Sequence, residues 1–332
     1  MSKSNKNKGK QNQTNIQSIL KDVKIRDFYG SRKVFFVLSA VLIVLVLLCC
    51  FIRGVQISIE FKGGTLAEYS YSGSVNENEI ADIAKDYLGT QVKAQLGETF
   101  TGERQTTFTL SFSMDKPFSA EMQDELLAKI QEKYPDANID ALETNDVAAT
   151  SGKQFLAKCS VAAVFASIVL ILYIAWRFKR ISGWSAGIFA VVALLHDLCV
   201  VFGTFVICGF EIDSNFMAVI LTILGYSVND TIVIYDRIRE NQTLMPAGTK
   251  LPELVNTSLS QTMRRTMRTS ITTITAMLIV TILAAVNNVD SILRFSIPMT
   301  VGMISGCYSS LCLAPMLWTA WKTRAKAEKS ED

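Results

Sequence analysis

The sequence predicts an all-α membrane protein of six transmembrane helices, with one α+β domain inserted between the first and the second. Three observations carry this. Six mostly apolar runs reach the roughly 20 residues that a helix needs to cross a hydrocarbon core. Of the 332 residues 49% are hydrophobic and 19% charged, so the charge is segregated rather than diluted. The segregation is also lopsided: residues 1–33 carry nine Lys and Arg against two acids, whereas residues 54–153 carry seventeen acids against eight bases. The net charge of +3 therefore averages a basic tail with a strongly acidic domain.

The elements follow in order. The Lys-, Asn- and Gln-rich start, Met1–Gln17, has the composition of disordered chain. Val34–Ile52 is the first span; it is too long for an ordinary signal peptide, lacks a small-residue cleavage site and reads as a signal anchor. Phe155–Trp176 is the second, broken only by Lys158, and Ser185–Phe210 the third, carrying His196 and Asp197. Phe216–Tyr235, the fourth, contains Asn229 and Asp230; Thr269–Val286 is a Thr-rich fifth, and Ile292–Trp318 a sixth. The expected organisation is a basic tail (1–33), a first helix (34–52), a domain (53–154), a bundle of helices two to six (155–321) and a short tail (322–332).

Lys and Arg set the expected orientation. The start of the chain, the turn Arg177-Phe178-Lys179-Arg180, an expected loop over Tyr235–Arg268 and the end Lys322–Lys329 are basic. The turns Glu211–Asn215 and Asn287–Ser291 carry no Lys or Arg. With six spans these groups alternate, which places both termini in the cytoplasm, the protein in the cytoplasmic membrane and the acidic domain outside.

Within that domain, Val55–Lys62 alternates like a strand and Gly63-Gly64 marks a turn into a second strand at Thr65. Asn76–Leu88 has helical spacing behind a Ser74 or Asn76 cap, and Ser119–Lys133 is an amphipathic helix. Gln91–Gln95, Gln105–Ser113 and Ile139–Glu143 read as strands. The order is β-α-β-β-α-β, of the ferredoxin-like kind, with an added hairpin. The domain has no His or Cys, and its acidity serves solubility or the docking of a polypeptide or partner domain.

Composition also excludes chemistry. The seven cysteines lie in or beside apolar runs without metal spacing, so they read as packing residues, and no metal or cofactor is expected. No basic patch with interleaved aromatics points to nucleic acid. There is no GxxxxGK[ST] phosphate loop and a single His, so neither ATP use nor hydrolysis is expected, and the chain does not read as an enzyme.

The informative residues are the charges inside the membrane. A charge at the bilayer centre costs roughly 2.5–3.5 kcal/mol on insertion scales, so Asp197 and Asp230 must face a bundle interior, a wet cavity or a partner. Asp197, beside His196, is either a packing contact or a functional group; at about 100° apart the two side chains are not expected to form a direct dyad. Asp230 follows Asn229 and shares a face with Tyr226, a polar cluster suited to gaining and losing a proton. Arg264, Arg265 and Arg268 are the nearest cationic candidates, and are equally ordinary flanking charges. Thr269, Ser270, Thr272, Thr273 and Thr275 can bond across helices or line a wet path.

These residues also carry a resemblance. The run Gly225-Tyr226-Ser227-Val228-Asn229-Asp230-Thr231-Ile232-Val233-Ile234-Tyr235-Asp236-Arg237-Ile238-Arg239-Glu240-Asn241 resembles the signature of SecF-type members of the bacterial SecD/SecF protein-export family. Leu194-Leu195-His196-Asp197, Gln261-Thr262-Met263-Arg264-Arg265-Thr266 with Thr269-Ser270, Gly306-Cys307-Tyr308-Ser309-Ser310 and Phe61-Lys62-Gly63-Gly64-Thr65 resemble further motifs of that family, in order. Lys62 and Glu60 depart from the family's Thr and Asp, Cys307 from its Thr, and Phe295-Ser296-Ile297-Pro298 departs mildly. The resemblance implies a fold of the resistance-nodulation-division type, half of whose membrane core this chain supplies. It implies SecD as the other half, association with the SecYEG channel and the ATPase SecA, and proton-driven late steps in export of precursor polypeptides. By position it makes Asp230 the protonatable acid and Arg265 its counter-charge, with Asn229, Tyr226, His196 and Asp197 as support and Gly63, Gly64 and Thr65 as a motif turn. Two other readings stand beside it: a small-solute or lipid exporter on the same fold, and a passive scaffold in which the acids lock helices.

Overall fold

The computed structural model describes residues 24–100, 104–114, 118–147, 149–246, 248–287 and 289–328. The start Met1–Gln17 and the last residues of the C-terminal tail, 329–332, lie outside them. The described order is α1 (Arg32–Arg53), β1 (Gly64–Tyr71), α2 (Glu77–Leu88), β2 (Val92–Phe100), β3 (Arg104–Phe112), α3 (Ala120–Lys133), β4 (Asp140–Val147), α4 (Ala149–Arg177), α5 (Gly183–Cys208), α6 (Ser214–Leu244), α7 (Leu251–Val286), α8 (Asp290–Tyr308) and α9 (Ala314–Glu328). A π-helical turn, Ser309–Leu313, joins α8 to α9.

Among the described residues six helices are long and apolar enough to cross a membrane: α1, α4, α5, α6, α7 and the continuous α8–α9. They coincide with the six expected spans, but two run on. The expected basic loop Tyr235–Arg268 is almost all helix, because α6 continues to Leu244 and α7 begins at Leu251. At 31 and 36 residues these helices are about 46 and 54 Å long, well beyond a hydrocarbon core of about 30 Å. Their extensions are stable because they bury Ile238, Leu254, Val255 and Leu259 in one cluster with Phe178 and Trp318.

The segment between α1 and α4 is an α+β unit. Its four strands pair antiparallel in the order β2-β3-β1-β4, with Thr65 opposite Phe112 and Asp146. Alternate strand positions, Ala67 and Tyr69 with Phe108 and Leu110, pack against Ile80 and Ala84 of α2 and Leu126 and Ile130 of α3. The Asn76 side chain caps α2 by accepting from Asn78 N at 3.0 Å, and Ser119 caps α3.

The expected first strand, Val55–Lys62, and the hairpin it would form are absent. Ile57 instead makes an isolated parallel bridge with Ile212, and Ile59–Lys62 winds into one helical turn capped by Ser58. Pairing with the α5–α6 turn satisfies this backbone and ties the α+β unit to the bundle. Two charges reinforce the tie. The Glu60 carboxylate accepts from Ser214 N at 2.9 Å at the start of α6, and Lys93 pairs with Glu211 at 2.6 Å.

Gly63 and Gly64 of the motif turn follow that helical turn. Gly64 has φ +149, and a Cβ there would stand 2.5 Å from Phe112 O, so the close approach of β1 to β3 requires glycine. Thr65 then fixes the register by donating from Oγ1 to Asp146 Oδ1 at 2.5 Å.

Candidate functional site

Asp197 and Asp230 both turn into the bundle, but into different surroundings. Asp197, on α5, is fully buried. Three hydroxyls donate to it: Ser227 to Oδ2 at 2.8 Å, Ser305 to Oδ1 at 2.7 Å and Ser309 to Oδ2 at 2.6 Å. His196 Nδ1 lies 3.3 Å from Oδ1, so the direct contact that the helical angle argued against is made. Both side chains lean into the same interface with α8, where His196 also stands 6.0 Å from the Tyr308 ring. Gly306 makes room, since a Cβ there would come 3.4 Å from Ser227 Cβ and 3.7 Å from the Asp197 carboxylate.

The π-helical turn extends this knot. Ser310 donates to Ser227 O at 3.0 Å and accepts from Thr231 Oγ1 at 3.0 Å. The extra residue in the turn presents Ser309 to α5 and Ser310 to α6 together; such turns gather at functional sites. Tyr308 closes the outer side, donating to Phe35 O at 2.8 Å with its hydroxyl 3.0 Å from Ser39 Oγ.

Asp230, on α6, is 4% exposed. Among the described residues its carboxylate has a single hydrogen-bond partner, Ser270 of α7, whose Oγ donates to Oδ2 at 3.4 Å. The Tyr226 hydroxyl is buried in the same cluster, close to Ser270 and Asp230, without a hydrogen bond of regular geometry. Asn229 is exposed, on the flank of α6 that also exposes Thr222 and Gly225. The structure therefore brings Tyr226 and Ser270 to Asp230 and leaves Asn229 outside.

Arg265 is exposed too, and no hydrogen bond or ion pair joins it to Asp230. It lines a hollow of about 520 Å³ between the end of α4 and the flanks of α6 and α7, with Arg177, Asp236, Arg237 and Gln261. The reason is helical geometry: Arg265 precedes Ser270 by five residues, about 7.5 Å along the axis and well round the helix. Arg265, Thr269 and Thr272 instead run along one exposed stripe of α7. The sequence singles out Ser270, which does bond across helices to Asp230, but not Ser227, Ser305 or Ser309. Ser305 and Ser309 share a helix face at i, i+4, a spacing that could have marked them as partners for a buried acid.

The end of the long fourth-span motif is structural. Asp236 pairs with Arg177 at 3.1 Å and Arg239 at 2.7 Å, and Asn241 donates to Ser258 at 2.9 Å and Gln261 at 2.8 Å. These contacts join α6 to α4 and α7.

Comparison with known proteins completes the site. The family described as protein export membrane protein SecD/SecF, C-terminal, matches residues 127–324, more than half of the chain, which holds α4 to α8 and most of α9. The chain belongs to the SecD/SecF family. Within that family, the protein translocase subunit SecF of Petrotoga mobilis is 30% identical over 92% of this chain and 99% of its own. The protein translocase subunit SecDF of Bacillus subtilis is 32% identical over 90% of this chain but only 38% of its own length. The crystal structure of SecDF from Thermus thermophilus, described as a translocon-associated membrane protein, superposes with a TM-score of 0.72 at 28% identity. That match covers 90% of this chain and 39% of the other, so this SecD/SecF-family chain corresponds to one part of a larger fused one.

Proposed function

We propose that this chain is the SecF-type subunit of a Sec protein-export machine, and that it works with SecD to drive late steps of translocation with the proton motive force. The observation that carries the reading is the contrast between the two acids. Asp197 is wrapped by three hydroxyls and an imidazole, the shell of a structural carboxylate. Among the described residues, Asp230 has one long hydrogen bond and no ion pair with a cation. A carboxylate left so poorly satisfied inside a membrane is stable with its proton on, and ionises when a partner or water reaches it. That is the behaviour of a proton carrier.

Asp230 stands behind an exposed polar flank, Gly225 and Asn229 of α6 with Arg265, Thr269 and Thr272 of α7. Polar groups facing hydrocarbon call for a partner, and the fused SecDF relatives support SecD in that place. In this reading the two subunits complete a core of the resistance-nodulation-division type, and Arg265 meets the ionised acid when α7 moves along α6. SecYEG, SecA and the exported precursor are the further partners, and lipid surrounds the rest.

The β-α-β-β-α-β order and the strand order support a ferredoxin-like domain, placed outside the cytoplasmic membrane with both termini inside by the Lys and Arg distribution. The scaffold reading draws support at Asp197 alone. The test uses inverted membrane vesicles carrying SecYEG, SecA, SecD and this chain. With a precursor arrested after its ATP-driven start, an imposed proton gradient should complete translocation only when this chain is present; completion without it would contradict the proposal.

A further inference from the structure

A trough of about 550 Å³ lies outside the bundle core, between α5, the end of α4 and α9. Its walls are Ile188, Phe189, Trp184 and Trp321, and Lys179 stands at its rim. Trp184 is 63% exposed and Trp321 52%, an unusual exposure for two indoles flanking one hollow. The trough opens where the helices turn, at the end of the apolar run, which is the depth of the lipid headgroups. Tryptophan at that depth places its ring among chains and its N–H toward polar oxygens.

The charges at this end are not equivalent. Arg177 is taken up by Asp236 at 3.1 Å. Lys322 donates to Ser182 Oγ at 2.8 Å and to Ile181 O at 3.2 Å, so it holds the α4–α5 turn. Ser185 accepts from Trp318 Nε1 at 3.0 Å. Lys179 is exposed and forms no ion pair with any described residue, and it borders a second hollow lined by Arg177 and Arg239 with Glu240. An apolar trough closed at one end by an uncommitted lysine and two indoles is amphipathic in the sense of a phospholipid, with chain below and phosphate above. A helix of another subunit would fill the apolar part and leave the lysine charge without a counter-ion.

We propose that this trough is a binding site for an anionic phospholipid of the surrounding leaflet, its acyl chain against Ile188 and Phe189 and its phosphate at Lys179. The site is independent of the proton reading and rests only on the membrane-spanning helices. The purified full-length chain is incubated with equal amounts of phosphatidylglycerol and phosphatidylcholine of the same acyl chains, and retained lipid is read by native mass spectrometry. The expected preference for phosphatidylglycerol is roughly fivefold, the weight of one lysine near an anionic headgroup. Lys179→Gln brings the two lipids to parity, and Trp184→Ala lowers retention of both alike. Parity in the unaltered chain, an undiminished preference in Lys179→Gln, or displacement of the lipid on adding SecD would overturn the site.

Discussion

Ser309 donates to Asp197 at 2.6 Å from the first residue of the π-helical turn, so an acid of the third span fixes where the sixth span changes register. Ser310, next in the turn, then reaches α6 within one helical turn of Asp230. The polar interior is thus two units: a tightly bonded knot around Asp197 and a loosely bonded acid beside it.

Asp197→Ala should destabilise the bundle by roughly 3–5 kcal/mol, because it strands three buried hydroxyls and an imidazole at once. Ser309→Ala leaves the buried Asp197 carboxyl one hydrogen bond short and should cost about 1–3 kcal/mol. Thermal unfolding in detergent measures both, and an unchanged melting point for Asp197→Ala would remove the knot from the account.

Gly64→Ala should loosen the α+β unit. Its Cβ would collide with Phe112 O at 2.5 Å and force a strained backbone, a cost on the order of 1–3 kcal/mol. Limited proteolysis between α1 and α4 should speed up, with the helical spans intact.

Lys93 and Glu211 hold the α+β unit to the α5–α6 turn. Lys93→Glu should widen the distance between β2 and that turn, read by paired spin labels, with little change in melting because Lys93 is half exposed. Adding Glu211→Lys should restore the short distance.

Tyr69 gives the α+β unit an alkaline limit. Burial holds its phenol up at about 12, above the ordinary 10, so the fold prefers the protonated form. That stability is fully present below pH 10 and is lost as pH rises toward 12, at about 1.4 kcal/mol per pH unit. Tyrosinate absorbance and circular dichroism together measure the loss. Tyr69→Phe should reduce the pH dependence, leaving the smaller part due to Tyr87 and Tyr134, with little cost near neutral pH, since the buried hydroxyl has no partner among the described residues.

The spans and the α+β unit are legible in the sequence because a run of 20 apolar residues and a period of two or 3.6 are local signals. The extensions of α6 and α7 are hidden: Leu254, Val255 and Leu259 become a core stripe only once Phe178 and Trp318 are known to lie opposite. Val55–Lys62 shows the converse, a strand-like pattern whose partner is Ile212, more than 150 residues away. Asp230 is legible as a misplaced charge, whereas Ser227, Ser305 and Ser309 are neutral and common, and only the third dimension gathers them on Asp197. Arg265 stands apart from Asp230 because proximity along a motif does not translate into proximity around a helix.

The most direct test of the proton-carrier claim is export of a secreted reporter in cells whose chain carries Asp230→Asn, with the proton gradient intact and SecD co-purification measured in parallel. The account predicts a complex that still assembles and export that falls to the level seen without the gradient. Near-normal export from a stable Asp230→Asn complex would contradict it.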